Sequence, residues 1–148
     1  MVHQSETDDL FALLSVDVKQ VVTAYLECAL FSSTDDDGNP LDVAMSVDGF
    51  ARDAVIQAID ECSRFLMRNL SDATAEHGLH YRVRNMNDCT VAQRFGHDFW
   101  LTRNRHGAGF WDRPEVWGEK PAQRLTDAAH AEGSCDAYVG DDGLVYLS

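Results

Sequence analysis

Lysine is nearly missing from this chain: 2 residues in 148, beside 10 arginines and 25 acidic side chains, for a formal net charge of −13. That balance excludes indiscriminate attachment of the whole surface to nucleic acid, which needs a broad cationic footprint. Long apolar runs are missing too. None approaches the roughly 18 residues that span a bilayer, so no membrane partner is expected. The opening "MVHQSETDDLF" has neither the basic nor the apolar region of an export signal, which predicts a cytoplasmic protein. Cys28, Cys62, Cys89 and Cys135 form no C-x-x-C pair, so the usual zinc and redox signatures are absent. H-E-x-x-H, G-x-S-x-G, P-loop and dinucleotide fingerprints are also absent. No catalytic residue, metal ligand or cofactor is assigned.

The charge that is present is unevenly placed. Residues 1–80 carry 15 acidic and 4 basic side chains, net −11, whereas residues 81–148 carry 10 and 8, net −2. Within 81–113 the balance is positive, because six arginines face three aspartates. The length suits one domain, 1–148, with a core of its own.

Helical spacing of apolar residues from Val18 to Leu30, capped by Ser15 or Asp17, predicts a first long helix. A lead-in helix over "SETDDLFALL" precedes it. A clearer stripe runs from Phe50 through Ala54, Ala58, Cys62 and Phe65 to Leu70. The two helices form a pair joined by the acidic loop 32–48. A short helical segment ends at Gly78, and another runs from a cap at Asn87 or Asp88 to Phe95, with Gly96 as its stop. "HDFWLTRN" and "AGFWDR" then read as strands about a turn at "RHG". Pro121 opens a helix that continues to Gly133. In "CDAYVGDDGLVYLS" an Asp-Gly turn flanked by apolar triplets predicts a hairpin over 136–140 and 143–147. The expected fold is therefore α+β. A helical pair is followed by two β-hairpins, 97–113 and 136–147, in a small antiparallel sheet with a helix between them.

The densest motif is "GHDFWLTRNRHGAGFWDR", residues 96–113. As a hairpin it places Phe99, Trp100, Phe110 and Trp111 largely in the core and pairs Asp98 and Asp112 with arginines. Arg103, Asn104, Arg105 and His106 then stand exposed at the turn. Arginine beside aromatic rings suits single-strand nucleic acid. Asp35, Asp36 and Asp37, in the acidic loop, suit a basic partner. Cys28 and Cys62 fall on apolar helix faces, which predicts buried free thiols.

This motif, with "LTDAAHAEG", "YVGDDGLVY" and the earlier "YLECALFSSTDDDGNPLD", resembles a group of small uncharacterised proteins of bacteriophages, prophages and other mobile elements. The likeness covers most of the chain. It implies a genetic setting inside a bacterial host and carries over no catalytic residue. Three functions follow in order. The first is an acidic accessory protein that binds a host or phage protein, as an inhibitor of a nucleic-acid-handling or defence protein. The second is nucleic-acid binding through 97–113, and the third is a metal-dependent hydrolase. The first uses Asp35, Asp36, Asp37, Arg103, Asn104, Arg105 and His106 as its candidate contacts. The residue pattern names neither the partner nor an oligomeric state.

Overall fold

In the computed structural model, which describes residues 10–11, 14–84 and 88–148, Ser15 opens the first long helix, α1 (Val16–Ser32). Its hydroxyl accepts the Val18 N–H at 3.3 Å, satisfying one of the donors that a helix start leaves free. The helix buries Val21, Val22, Tyr25, Leu26, Cys28, Ala29 and Leu30. Two 3-10 turns, Leu41–Val43 and Val47–Gly49, lead to α2 (Arg52–Arg68), whose buried stripe is Ala54, Val55, Ala58, Cys62, Phe65 and Leu66. A single-turn α3 (Leu70–Ala73) follows. The lead-in helix expected over residues 5–14 and the Asn87 cap lie largely outside the described residues.

The expected α+β fold is corrected at the central motif. Residues 97–103 are not a strand; they finish α4 (Val91–Arg103), which packs on α1. The start signal is Thr90. Its hydroxyl accepts the Gln93 N–H at 3.1 Å, and the Gln93 side chain accepts the Thr90 N–H at 2.8 Å. This reciprocal box satisfies two backbone donors at once and commits the chain to a helix. Gly96 does not stop that helix. It lies in the middle, where a Cβ would overlap the Val21 carbonyl oxygen of α1. The period-3.6 signal is missing for a physical reason: α4 is buried on nearly every side, so no polar face alternates with an apolar one.

Residues 108–113 are not a strand either. Gly109, at φ 140°, turns the chain into a 3-10 turn, Phe110–Asp112. The Phe110 N–H donates to Thr102 Oγ1 at 3.1 Å, and the Gly109 N–H donates to Asp112 Oδ1 at 3.0 Å. The short α5 (Pro114–Trp117) and then α6 (Glu119–Ala131) complete six α-helices among the described residues. Helix α6 matches the expected helix around Pro121. The fold is mostly helical, with one small hairpin.

That hairpin joins β1 (Ala137–Val139) to β2 (Val145–Leu147), with Tyr138 opposite Tyr146. It falls where the sequence places it. The Ala51 N–H donates to the Val145 carbonyl at 2.8 Å, tying β2 to the start of α2. Between the helices lies an aromatic core. Phe65 stacks on Phe99 with ring centroids 3.9 Å apart, and Phe95, Phe110 and Trp117 continue the cluster. Tyr25 meets Trp100 edge-on at 5.2 Å. No helix among the described residues is long and apolar enough to cross a membrane.

Candidate functional site

The acidic loop is built by one of its own aspartates. Asp35 Oδ1 accepts the N–H groups of Asp37 and Asn39, both at 2.9 Å, and the Asp35 N–H donates to the Asn39 carbonyl at 2.9 Å. A short Asp side chain accepts from backbone two residues on, which is why it shapes turns. Asp35 is thus a half-buried scaffold, whereas Asp36 and Asp37 are exposed. Of the three carboxylates, two are free to meet a partner in full.

The 103–106 segment divides in the same way. Arg103 was expected at the surface; it is 4% exposed. Its Nε donates to the Gly133 carbonyl at 2.8 Å, Nη2 to the Glu132 carbonyl at 3.2 Å, and Nη1 to Tyr25 Oη at 2.9 Å and Glu61 Oε1 at 3.2 Å. Burial opposes the charge, but the tyrosine and Glu61 outweigh it, and the guanidinium pKa is raised. Arg103 bolts α4 to α1, α2 and the end of α6, and is not available for recognition. Asn104 is half-buried. Its amide donates to the Trp100 carbonyl at 3.0 Å and its oxygen accepts the Cys135 N–H at 2.7 Å. Arg105, at φ 55°, and His106 are exposed as expected.

Asp98 and His97 of the motif also face other side chains of the fold, whereas Asp112 is exposed. Asp98 is fully buried, with Arg113 Nε on Oδ1 at 3.0 Å and Trp117 Nε1 on Oδ2 at 3.0 Å. His97 Nδ1 lies 3.4 Å from Asp98 Oδ1 and 3.2 Å from Arg94 Nη1. Phe99, Trp100 and Phe110 are buried; Trp111 is 52% exposed. The motif is therefore largely core, with the charges of Asp98, Arg103 and Arg113 paired internally and those of Arg105 and Asp112 at the surface. Sequence reading missed Tyr25, Glu61 and Trp117 as partners of those charges, because each comes from a different helix. Among the described residues, no three His, Cys, Asp or Glu side chains are placed to hold a metal ion.

What the fold does bring together are the two exposed stretches. A groove of about 470 Å³ is bounded by Ser33 and Thr34, at the mouth of the acidic loop, and by Asn104 and His106. Asp136 and Tyr138 of the hairpin close its far side. The residues that lead into the acidic loop and the 104–106 turn, some 70 residues apart in sequence, thus border one concave surface. Comparison of the chain with family models, with curated proteins and with solved structures finds no match.

Proposed function

We propose that this is a small acidic accessory protein of a phage or mobile element, acting in the bacterial cytoplasm by binding a basic surface of a host or phage protein. Its best use there is inhibition of a nucleic-acid-handling or defence protein. One observation carries the reading: the groove lined by His106 and Asp136 is entered at Ser33 and Thr34, the residues that lead directly into the exposed carboxylates of Asp36 and Asp37. Clustered carboxylates at a net charge of −13 attract a cationic partner and repel most others. The motif resemblance supplies the genetic setting.

The nucleic-acid alternative depended on a hairpin platform of arginine and aromatic residues. With Arg103 and three of the four rings buried, only Trp111, Arg105 and His106 are left for it. The hydrolase alternative gains no observation.

The test is capture from bacterial lysate on the immobilised full chain, against a variant carrying Asp36→Asn, Asp37→Asn and His106→Ala. Asp35 is left intact because it holds the loop. A protein retained by the wild type and depleted at least tenfold on the equally stable variant supports the reading. Equal retention by both, or capture abolished by nuclease, overturns it.

A further inference from the structure

A second groove, about 640 Å³, lies between α1 and α4 and carries a different charge pattern. Arg94, half-buried on α4, reaches into it. Its Nη1 meets His97 Nδ1 at 3.2 Å, its Nη2 meets Cys89 Sγ at 3.5 Å, and its buried Nε has no hydrogen-bond partner. Among the described residues no carboxylate pairs with Arg94, although the chain holds 25 acidic side chains. Arg82 lines the same groove and donates to a backbone oxygen, that of Asp88, at 2.8 Å. A half-buried guanidinium whose partners are an imidazole nitrogen and a thiol keeps Nη protons free for an anion. Arginine presents a planar fork of donors that fits phosphate or carboxylate oxygens in pairs.

The rest of the groove suits a planar organic body. Phe31 stands at its rim with 68% of its surface exposed, an apolar ring with nothing over it among the described residues. Gln93 also lines it. The Gln93 oxygen is taken by the Thr90 N–H, which leaves the amide donors for a ligand. Glu27 of α1 and Asp88 also line the groove and supply acceptors. A volume in the range of ordinary ligand pockets, apolar contact and a few placed polar groups are what small-molecule sites share. We infer that this groove binds a mononucleotide-class ligand: its phosphate on Arg94 and Arg82, its base over Phe31, and the polar edge of the base read by Gln93 and Glu27. The inference is independent of the acidic loop, none of whose aspartates lines this groove.

Calorimetric titration of the full chain with AMP, adenosine and inorganic phosphate tests it. AMP binds, and adenosine and phosphate alone each bind at least tenfold more weakly, because each keeps half of the contacts. Arg94→Gln weakens AMP at least tenfold. Phe31→Ser, at an exposed position, weakens it severalfold with an unchanged Tm, which guards against misreading a folding defect. No heat with AMP at millimolar concentration overturns the inference. So does AMP binding untouched by both substitutions, or binding of a single-stranded oligonucleotide without AMP.

Discussion

Gly96 of α4 sits directly on the Val21 carbonyl of α1: a Cβ there would overlap the oxygen and lie 2.8 Å from the carbonyl carbon. The obstacle is backbone, which has no rotamer through which to yield. Gly96→Ala improves helix propensity by about 1 kcal/mol, yet it must push two packed helices apart. Overpacking of a tight core costs roughly 1–3 kcal/mol and occasionally more. The clash wins, and Gly96→Ala unfolds at lower urea than the wild type. Equal midpoints would show that the α1–α4 crossing is looser than described.

Asp98 is the second point of leverage. Its carboxylate is fully buried between Arg113 and Trp117. Removing one member of such a pair leaves the other charge without its partner, at a cost of about 3–5 kcal/mol. Asp98→Ala is therefore expected to be severe, whereas adding Arg113→Ala to it costs less than the two single changes summed. Urea unfolding of the four-member cycle measures the coupling. Additive losses would mean that the ion pair contributes nothing as a pair.

The three tryptophans separate cleanly. Trp100 is 1% exposed, and its indole N–H donates to Ser32 Oγ at 2.8 Å; Trp111 is 52% exposed. Trp100→Ala removes a buried ring and lowers stability by about 3–5 kcal/mol. Trp111→Ala changes it by no more than about 0.5 kcal/mol. In the wild type, acrylamide quenches the Trp111 share of the fluorescence and leaves the rest. Quenching of all three in the native state would contradict the burial of Trp100 and Trp117.

These pairings explain which parts of the fold were legible. Helices α1, α2 and α6 each keep a polar face, and the final hairpin has an Asp-Gly turn between apolar triplets, so pattern and structure agree. Helix α4 has no polar face to betray its period. Its first turns were legible as a helix from Asn87 or Asp88 to Phe95, but the Thr90–Gln93 box went unread, and Gly96 with the aromatic run after it read as a stop and a strand. The site divided along the same line. The exposure of Asp36, Asp37, Arg105 and His106 follows from local turn chemistry. The burial of Arg103 depends on Tyr25, Glu61 and Gly133, and the open donors of Arg94 depend on no carboxylate among the described residues lying within ion-pair distance of it. Neither condition is local in sequence.

The thiols give a prediction with a pH sign. Cys28 and Cys62 are free and buried, and Cys89 is half-buried. Burial pushes the Cys28 thiol from its ordinary 9.0 up to about 12, with the Asp98 carboxylate adding to the effect, and it also raises Cys62 well above the usual range. The thiolate is the reactive form, and at pH 8 a group titrating near 12 is ionised to about one part in 10⁴. Native protein should therefore label first at Cys89, with Cys28 and Cys62 reacting only after denaturation. Because the folded state holds these protons more tightly than the unfolded chain, their contribution to stability is complete below pH 9. It is lost as pH rises toward 12. Cys28→Ala should flatten that alkaline loss while costing some packing at neutral pH. Mass spectrometry after a timed alkylation reads the first part, and urea midpoints from pH 8 to 11 read the second. Fast native labelling of Cys28, or an alkaline loss identical in Cys28→Ala and wild type, would remove this thiol from the account.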